Sequence, residues 1–270
     1  MKLIYQSNFK ENSKRFSKPD IHIWVEEFYA WLFCTKDEYM DYIEFKTIEN
    51  QLKASLYKFI LKEKESEQET QNIITQFYKS LSNIHHILMK DISSFLNFDP
   101  AAQSKDEIIL CYPGFFAISV YRIAHELQQL NVSLFSRIIS EYAHSKTGID
   151  IHPKAEIGKN FLIDHGTGVV IGATSIIGNN VKIYQGVTLG ALTVSKEKAK
   201  EKRHPTIQDN VIIYANATIL GGNTIIGKDS IIGGNVWITD SIPENSMVFH
   251  KSEIVIKNKQ KFPEALNFTI

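Results

Sequence analysis

Residues 169–190 read VVIGATSIIGNNVKIYQGVTLG. Ile171, Ile177, Ile183 and Leu189 stand six residues apart, a spacing that neither a helical period of 3.6 nor a strand period of 2 produces. A beat of six belongs to parallel β-helices, in which each hexad forms one flat face of a coil and turns its aliphatic residue inward. The same beat extends to both sides, through Ile151, Ile157 and Ile163 before it and Ile207, Ile213, Ile219, Ile226, Ile232 and Ile238 after it. Small or branched residues such as Val169, Val181, Val187, Val211, Ala217 and Val236 precede the marks by two and suit the corners. With three faces to a turn, these hexads make roughly four to five turns.

The first half has a different texture. Glycines are few, and Trp24, Val25, Phe28, Trp31 and Leu32 form a helical face within Ile21–Cys34. The same style continues through Tyr39–Lys62, Glu67–Met89, Phe115–Leu130 and a shorter stretch, Leu134–His144. The charged run Lys62–Glu67 reads as a solvated helix face or loop. The expected fold class is therefore α+β. An N-terminal α-helical domain (residues 1–148) precedes a left-handed parallel β-helix of hexapeptide repeats (residues 149–256), and a charged tail (residues 257–270) follows.

Composition narrows the function. Thirty basic and thirty acidic residues cancel, which argues against a dedicated nucleic-acid or anionic-membrane surface. No apolar run approaches the roughly 20 residues of a membrane span, and the first residues do not read as a secretory signal. The two cysteines, Cys34 and Cys111, make no disulfide framework and are expected to be buried small hydrophobes in a reducing compartment. The cytoplasm is the expected location.

The breaks in the beat are where chemistry can be placed. Ile163 to Ile171 takes eight residues, the extra ones lying in Asp164-His165-Gly166-Thr167-Gly168. Between Leu189 and Ile207 a polar stretch, Ala191–His204, cannot fill a coil interior and reads as a loop thrown outward. A smaller slip at Gly221-Gly222 marks a bulged corner. His165 and His204 lie in or beside these breaks. Asp150, fifteen residues before His165, would stand about one layer away if a turn takes eighteen. A carboxylate beside an imidazole makes a general base; the other reading is an aspartate closing a corner through backbone amides. Arg203 can clamp a carboxylate in a bidentate pair, or belong simply to a solvated basic loop with Lys196, Lys198, Lys200 and Lys202. His152, His165 and His204 lack the closely spaced pair a zinc site needs, so no metal is expected.

Five motifs in order, Asp99-Pro100-Ala101, Gly148-Ile149-Asp150-Ile151-His152-Pro153, Ile163-Asp164-His165-Gly166-Thr167-Gly168, Gly186-Val187-Thr188-Leu189-Gly190 and Arg203-His204-Pro205, resemble bacterial serine O-acetyltransferases. The resemblance implies transfer of acetyl from acetyl-CoA to the hydroxyl of L-serine, in cysteine biosynthesis. It implies a catalytic pair of His165 and Asp150, serine binding by Asp99, Asp164, Arg203 and His204, and coenzyme A contacts near Ala191, Ala215 and Gly234. It further implies active sites between the coils of a homotrimer, a possible dimer of trimers, and feedback by L-cysteine. The C-terminal Ile270 would dock into O-acetylserine sulfhydrylase. Departures are Ala191 in place of a second glycine, Lys202 where many relatives carry Asp, and Phe249-His250-Lys251-Ser252-Glu253 near the end of the coil. The alternatives are an acetyltransferase for another small hydroxylated acceptor, and a non-catalytic scaffold for the sulfhydrylase.

Overall fold

The computed structural model describes residues 1–5, 16–192 and 201–251. Among the described residues, helical residues 2–5 precede six longer helices: α1 (Lys18–Leu32), α2 (Tyr42–Lys64), α3 (Glu67–Phe98), α4 (Lys105–Cys111), α5 (Pro113–Gln129) and α6 (Ser133–Thr147). Each helix predicted from periodicity is present, with shifted ends. The stretch expected to run from Tyr39 divides into a 3-10 turn, Asp37–Met40, and α2, because the Asp41 carboxylate accepts from the N–H groups of Ile43 and Glu44 and starts a new helix. The Lys62–Glu67 run is the junction between α2 and α3, with Glu65 left-handed and Ser66 capping α3. Helix α3 runs nine residues beyond Met89, since nothing breaks it before Asp99-Pro100.

Gly148, in a left-handed conformation, caps α6 and hands the chain to the coil. Fourteen strands of two or three residues follow, from β1 (Asp150–Ile151) to β14 (Met247–Val248). They stack in parallel into three faces: β1, β4 (Val170–Ile171), β7 (Thr188–Gly190), β10 (Thr218–Leu220) and β13 (Trp237–Ile238); β2 (Glu156–Ile157), β5 (Ile176–Ile177), β8 (Thr206–Ile207) and β11 (Ile225–Ile226); and β3 (Leu162–Asp164), β6 (Lys182–Tyr184), β9 (Ile212–Ile213), β12 (Ile231–Ile232) and β14. The hexad marks pair with one another in register, as in Ile151↔Ile171↔Leu189↔Ile219↔Ile238. The marks point inward, and Val169, Val181, Val187, Val211 and Ala217 are fully buried at the corners. Bulk along the axis therefore comes from one aliphatic column per face.

The corner between the second and third faces is the most regular. Asn160, Asn180, Asn210, Asp229 and Asn245 occupy it in the left-handed region, with φ between 57° and 62°, a conformation Asn and Asp tolerate best after glycine. Their side chains form a ladder. The Asn160 amide donates to Asn180 (2.6 Å), Asn180 to Asn210 (2.8 Å) and Asn210 to Asp229 (2.8 Å).

The helices dock on the first turns of the coil through a buried ion pair. Arg122 of α5 donates from Nε and Nη2 to both carboxylate oxygens of Asp91 on α3 (2.6 and 3.0 Å) and from Nη2 to the Gly158 carbonyl (2.8 Å). Asp91 also accepts from the Phe161 N–H (2.9 Å). The pair thus bridges two helices and the coil. Asp91→Ala leaves a guanidinium buried without its counter-charge, and should cost about 3–5 kcal/mol, or about 10 °C in Tm. A urea melt showing a loss below about 1 kcal/mol would contradict this role.

One expectation fails: Cys34 and Cys111 are both free and exposed. Cys34 falls just past the end of α1 at φ 50°, and Cys111 ends the short α4, which periodicity did not reveal. Among the described residues, no single helix is long and apolar enough to cross a membrane.

Candidate active site

The two breaks in the beat sit at two different corners of the coil. His165 follows β3 (Leu162–Asp164), at the corner between the third and first faces, in the loop that holds the extra residues. Its φ is 57°, the left-handed conformation that other corners of the coil fill with Asn or Asp. Its side chain is 74% exposed, and Nε2 lies 3.9 Å from the Asp164 carboxylate. This ring does not contribute to packing. It is presented to solvent.

Asp99 comes to the same corner from the end of α3. One carboxylate oxygen caps the Ala101 N–H (2.8 Å), and the other accepts the Tyr112 hydroxyl (2.7 Å). That hydrogen bond is the chief reason the Tyr112 phenol is held above its usual range, with burial and the charges of Asp99, Glu107 and Asp164 adding to it. Tyr184, in register with Asp164, is also raised, by burial first and then by Asp164, Tyr214 and Asp99. Two carboxylates are therefore felt by the same tyrosines, which is the electrostatic setting for an ammonium group. Tyr112 was not found from the sequence, because its thirteen-residue separation from Asp99 spans α4 and matches no local period.

Asp150 does not stand where an eighteen-residue turn would put it. The first turn takes twenty residues, so Asp150 stacks on Val170 and His165 occupies the corner before that layer. No hydrogen bond joins Asp150 to His165 among the described residues. Asp150 instead lies beside Glu141 and His144 of α6, with polar atoms of the three within 4.8 Å of one another. Glu141 is itself paired with Arg137 and with His144.

Arg203 and His204 lie at the corner between the first and second faces, where the outward loop returns. His204 is buried and packs flat on Gly172, where a Cβ would come within 1.9 Å of its ring. The Thr174 N–H donates to Nδ1 of His204 (3.1 Å) and the Thr174 hydroxyl stands 2.8 Å from the same atom. Since a backbone N–H can only donate, Nδ1 accepts, and in the neutral ring Nε2 carries the proton. Burial, followed by the charges of Arg203 and Lys202, pushes the His204 pKa down to about 4. His152, two layers away at the same corner, is also pushed down to about 4, first by burial and then by Arg137, Lys154, His204 and Arg203. At neutral pH this corner therefore presents a guanidinium beside uncharged imidazoles.

The residues expected to meet coenzyme A divide likewise. Ala215 and Gly234 follow β9 and β12 on the His165 edge and stack on each other, Asn235 N–H donating to the Ala215 carbonyl (3.0 Å). Ala191 lies on the Arg203 edge, where Leu192, Lys202, Arg203, Gly221, Gly222 and Thr239 line a cavity of about 550 Å³. The two edges are separated by the width of the first face, about five residues or roughly 16 Å. Residues 193–200, expected from the sequence to form a loop thrown outward, and the C-terminal Ile270 lie outside the described residues.

A helical half feeding a three-sided hexapeptide coil, with imidazole, carboxylates and guanidinium gathered at its interruptions, defines an acyltransferase of the hexapeptide-repeat class. The chain is 44% identical over 181 residues to a serine acetyltransferase of Bacillus subtilis, covering 67% of this chain and 82% of that one. The chain belongs to the serine acetyltransferase family. Residues 36–120 match the family model described as serine acetyltransferase, N-terminal. A plasmid-encoded serine acetyltransferase of Synechococcus elongatus is 49% identical over 186 residues, which make up 67% of this chain and 58% of that relative's length. Among solved structures, serine acetyltransferase isoform 3 of Entamoeba histolytica, in complex with cysteine, superposes with a TM-score of 0.78 at 34% identity over 96% of this chain and 95% of that one.

Proposed function

We propose that the chain acetylates the hydroxyl of L-serine with acetyl-CoA, giving O-acetyl-L-serine and coenzyme A for cysteine biosynthesis. The observation that carries this reading is the exposed His165 beside Asp164, whose charge reaches Tyr112 and Tyr184 together with that of Asp99. His165 takes the serine hydroxyl proton as the oxygen attacks the thioester carbonyl. The new C–O bond forms, the C–S bond breaks, and the departing thiolate recovers the proton from the imidazolium. Asp150 is assigned as the carboxylate that stabilises this imidazolium. Catalytic hydrogen bonds often tighten only once substrate is bound, which accommodates the missing direct contact. Asp99 and Asp164 receive the ammonium of serine, and Arg203 with the Nε2–H of His204 receives its carboxylate. Coenzyme A runs along the coil past Ala191, Ala215 and Gly234.

Serine spans only a few ångströms, yet its proposed ammonium and carboxylate binders occupy edges roughly 16 Å apart. One chain cannot close this site around one substrate. A cyclic trimer that sets the Arg203 edge of one copy against the His165 edge of the next resolves the mismatch. A dimer of trimers through the helical half, L-cysteine as feedback inhibitor, docking of Ile270 into O-acetylserine sulfhydrylase and a cytoplasmic location complete the proposal. The cysteine complex of the Entamoeba histolytica relative supports the feedback element.

The test is coenzyme A release with L-serine, with a panel of sugars and with no acceptor. L-serine should be the preferred acceptor, and Arg203→Ala should raise its KM about 100-fold by removing a charge-assisted pair. Equal turnover on a sugar, or a serine KM untouched in Arg203→Ala, would remove the amino-acid reading.

A further inference from the structure

Lys202 stands immediately before the arginine and histidine just assigned to the substrate carboxylate. The residue is exposed, yet its ammonium turns back onto the coil. Nζ donates to the carbonyls of Thr174 (2.7 Å), His204 and Pro205 (3.2 Å), so three backbone oxygens converge on one cation. An ammonium has three N–H donors, and all three are used. Burial of the group among these oxygens lowers its pKa below the usual lysine range.

The same few atoms are tied from the other side. The Thr174 hydroxyl oxygen accepts from the N–H groups of Arg203 (3.0 Å) and His204 (3.1 Å). The Lys202 carbonyl lies against Gly222, where a Cβ would come within 2.1 Å of it. The chain therefore re-enters the coil after Lys202 at a point fixed by a cation, a hydroxyl and a close backbone contact. An aspartate at position 202 would bring only acceptors to a ring of acceptors.

We infer that Lys202 is a positioning residue for substrate selection: its ammonium pins the root of the outward loop and thereby aims Arg203 and His204 at the carboxylate of the acceptor. The inference rests on the proposed roles of Arg203 and His204. Lys202 itself touches no substrate, so its removal acts on binding of the acceptor rather than on the chemical step. Lysine suits this place better than arginine, because a planar guanidinium cannot direct three donors at oxygens that converge on one point.

The experiment compares Lys202→Met, Lys202→Gln and Arg203→Ala in the full-length protein. Lys202→Met should raise the serine KM about tenfold, leaving kcat and the acetyl-CoA KM within about twofold, the signature of lost uniform binding. Hydrogen exchange at the Arg203 and His204 amides should quicken at least about tenfold, while the β7 amides keep their protection. Lys202→Gln, which retains one donor arm, should fall between wild type and Lys202→Met in both readouts. An unchanged serine KM and unchanged exchange in Lys202→Met, with Arg203→Ala still defective, would overturn the pinning role alone. Exchange that quickens in Lys202→Met while Arg203→Ala leaves the serine KM untouched would overturn the carboxylate assignment and the substrate-positioning role with it.

Discussion

His165→Ala should lower kcat for acetyl transfer to L-serine by about 10²- to 10⁴-fold, the usual contribution of a positioned general base. The fold should survive. The side chain is 74% exposed and fills no core, so its loss opens no cavity. The backbone is the one point of concern, since residue 165 sits at φ 57°. His165→Asn is the better control, because asparagine accepts that conformation readily but cannot take the proton. Both variants should give the wild-type circular dichroism spectrum and oligomer size, with initial rates of coenzyme A release separating them from the parent. Turnover within about threefold of wild type in His165→Asn would end the assignment of His165 as the base.

Mixing two crippled chains should restore activity. If each site takes His165 from one copy and Arg203 from the next, a random mixture of His165→Ala and Arg203→Ala chains in cyclic trimers builds some sites from two intact edges. Such a site needs an Arg203→Ala chain on the histidine side and a His165→Ala chain on the arginine side. With equal amounts that happens at about one site in four. Co-expressed variants, assayed at a serine concentration near the wild-type KM, should therefore recover about a quarter of wild-type activity, far above the sum of the two parents. Activity equal to that sum would mean that one chain builds its own site, and the trimer proposal would fall. The test needs no knowledge of the assembly beyond gel filtration of the mixture.

Much of this geometry could be read from the chain. The hexad marks named the inward residues, and the interruptions named the corners that carry His165, Arg203 and His204. The layer register was less accessible. A nominal turn of eighteen would stack Asp150 on Gly168, but two extra residues in the first turn place Val170 there instead. An insertion can be counted in sequence, although the strand that absorbs it cannot. Tyr112 escaped for a related reason, because its bond to Asp99 depends on how α4 folds back. Lys202 looked like one lysine among several in a basic loop. Its role comes from three carbonyls that meet only when Thr174 and Pro205 lie in adjacent layers. The cysteines were misplaced because composition speaks of averages, while exposure at a helix end is a local accident.

The asparagine ladder has a bearing on how such a coil can change over generations. It runs along the corner opposite the first face, remote from both edges that carry the proposed chemistry. Successive layers consume sixteen to twenty residues on their way round, and the layer that contains Ala191–His204 takes thirty, yet Ile183 still meets Ile213 in register. Asn180 meets Asn210 across that same thirty-residue gap. Alignment of the stack is thus kept by a spine that never sees the substrate. The two working corners are left free to gain or lose residues without shearing the layers, so acceptor specificity can drift while the scaffold stays in step.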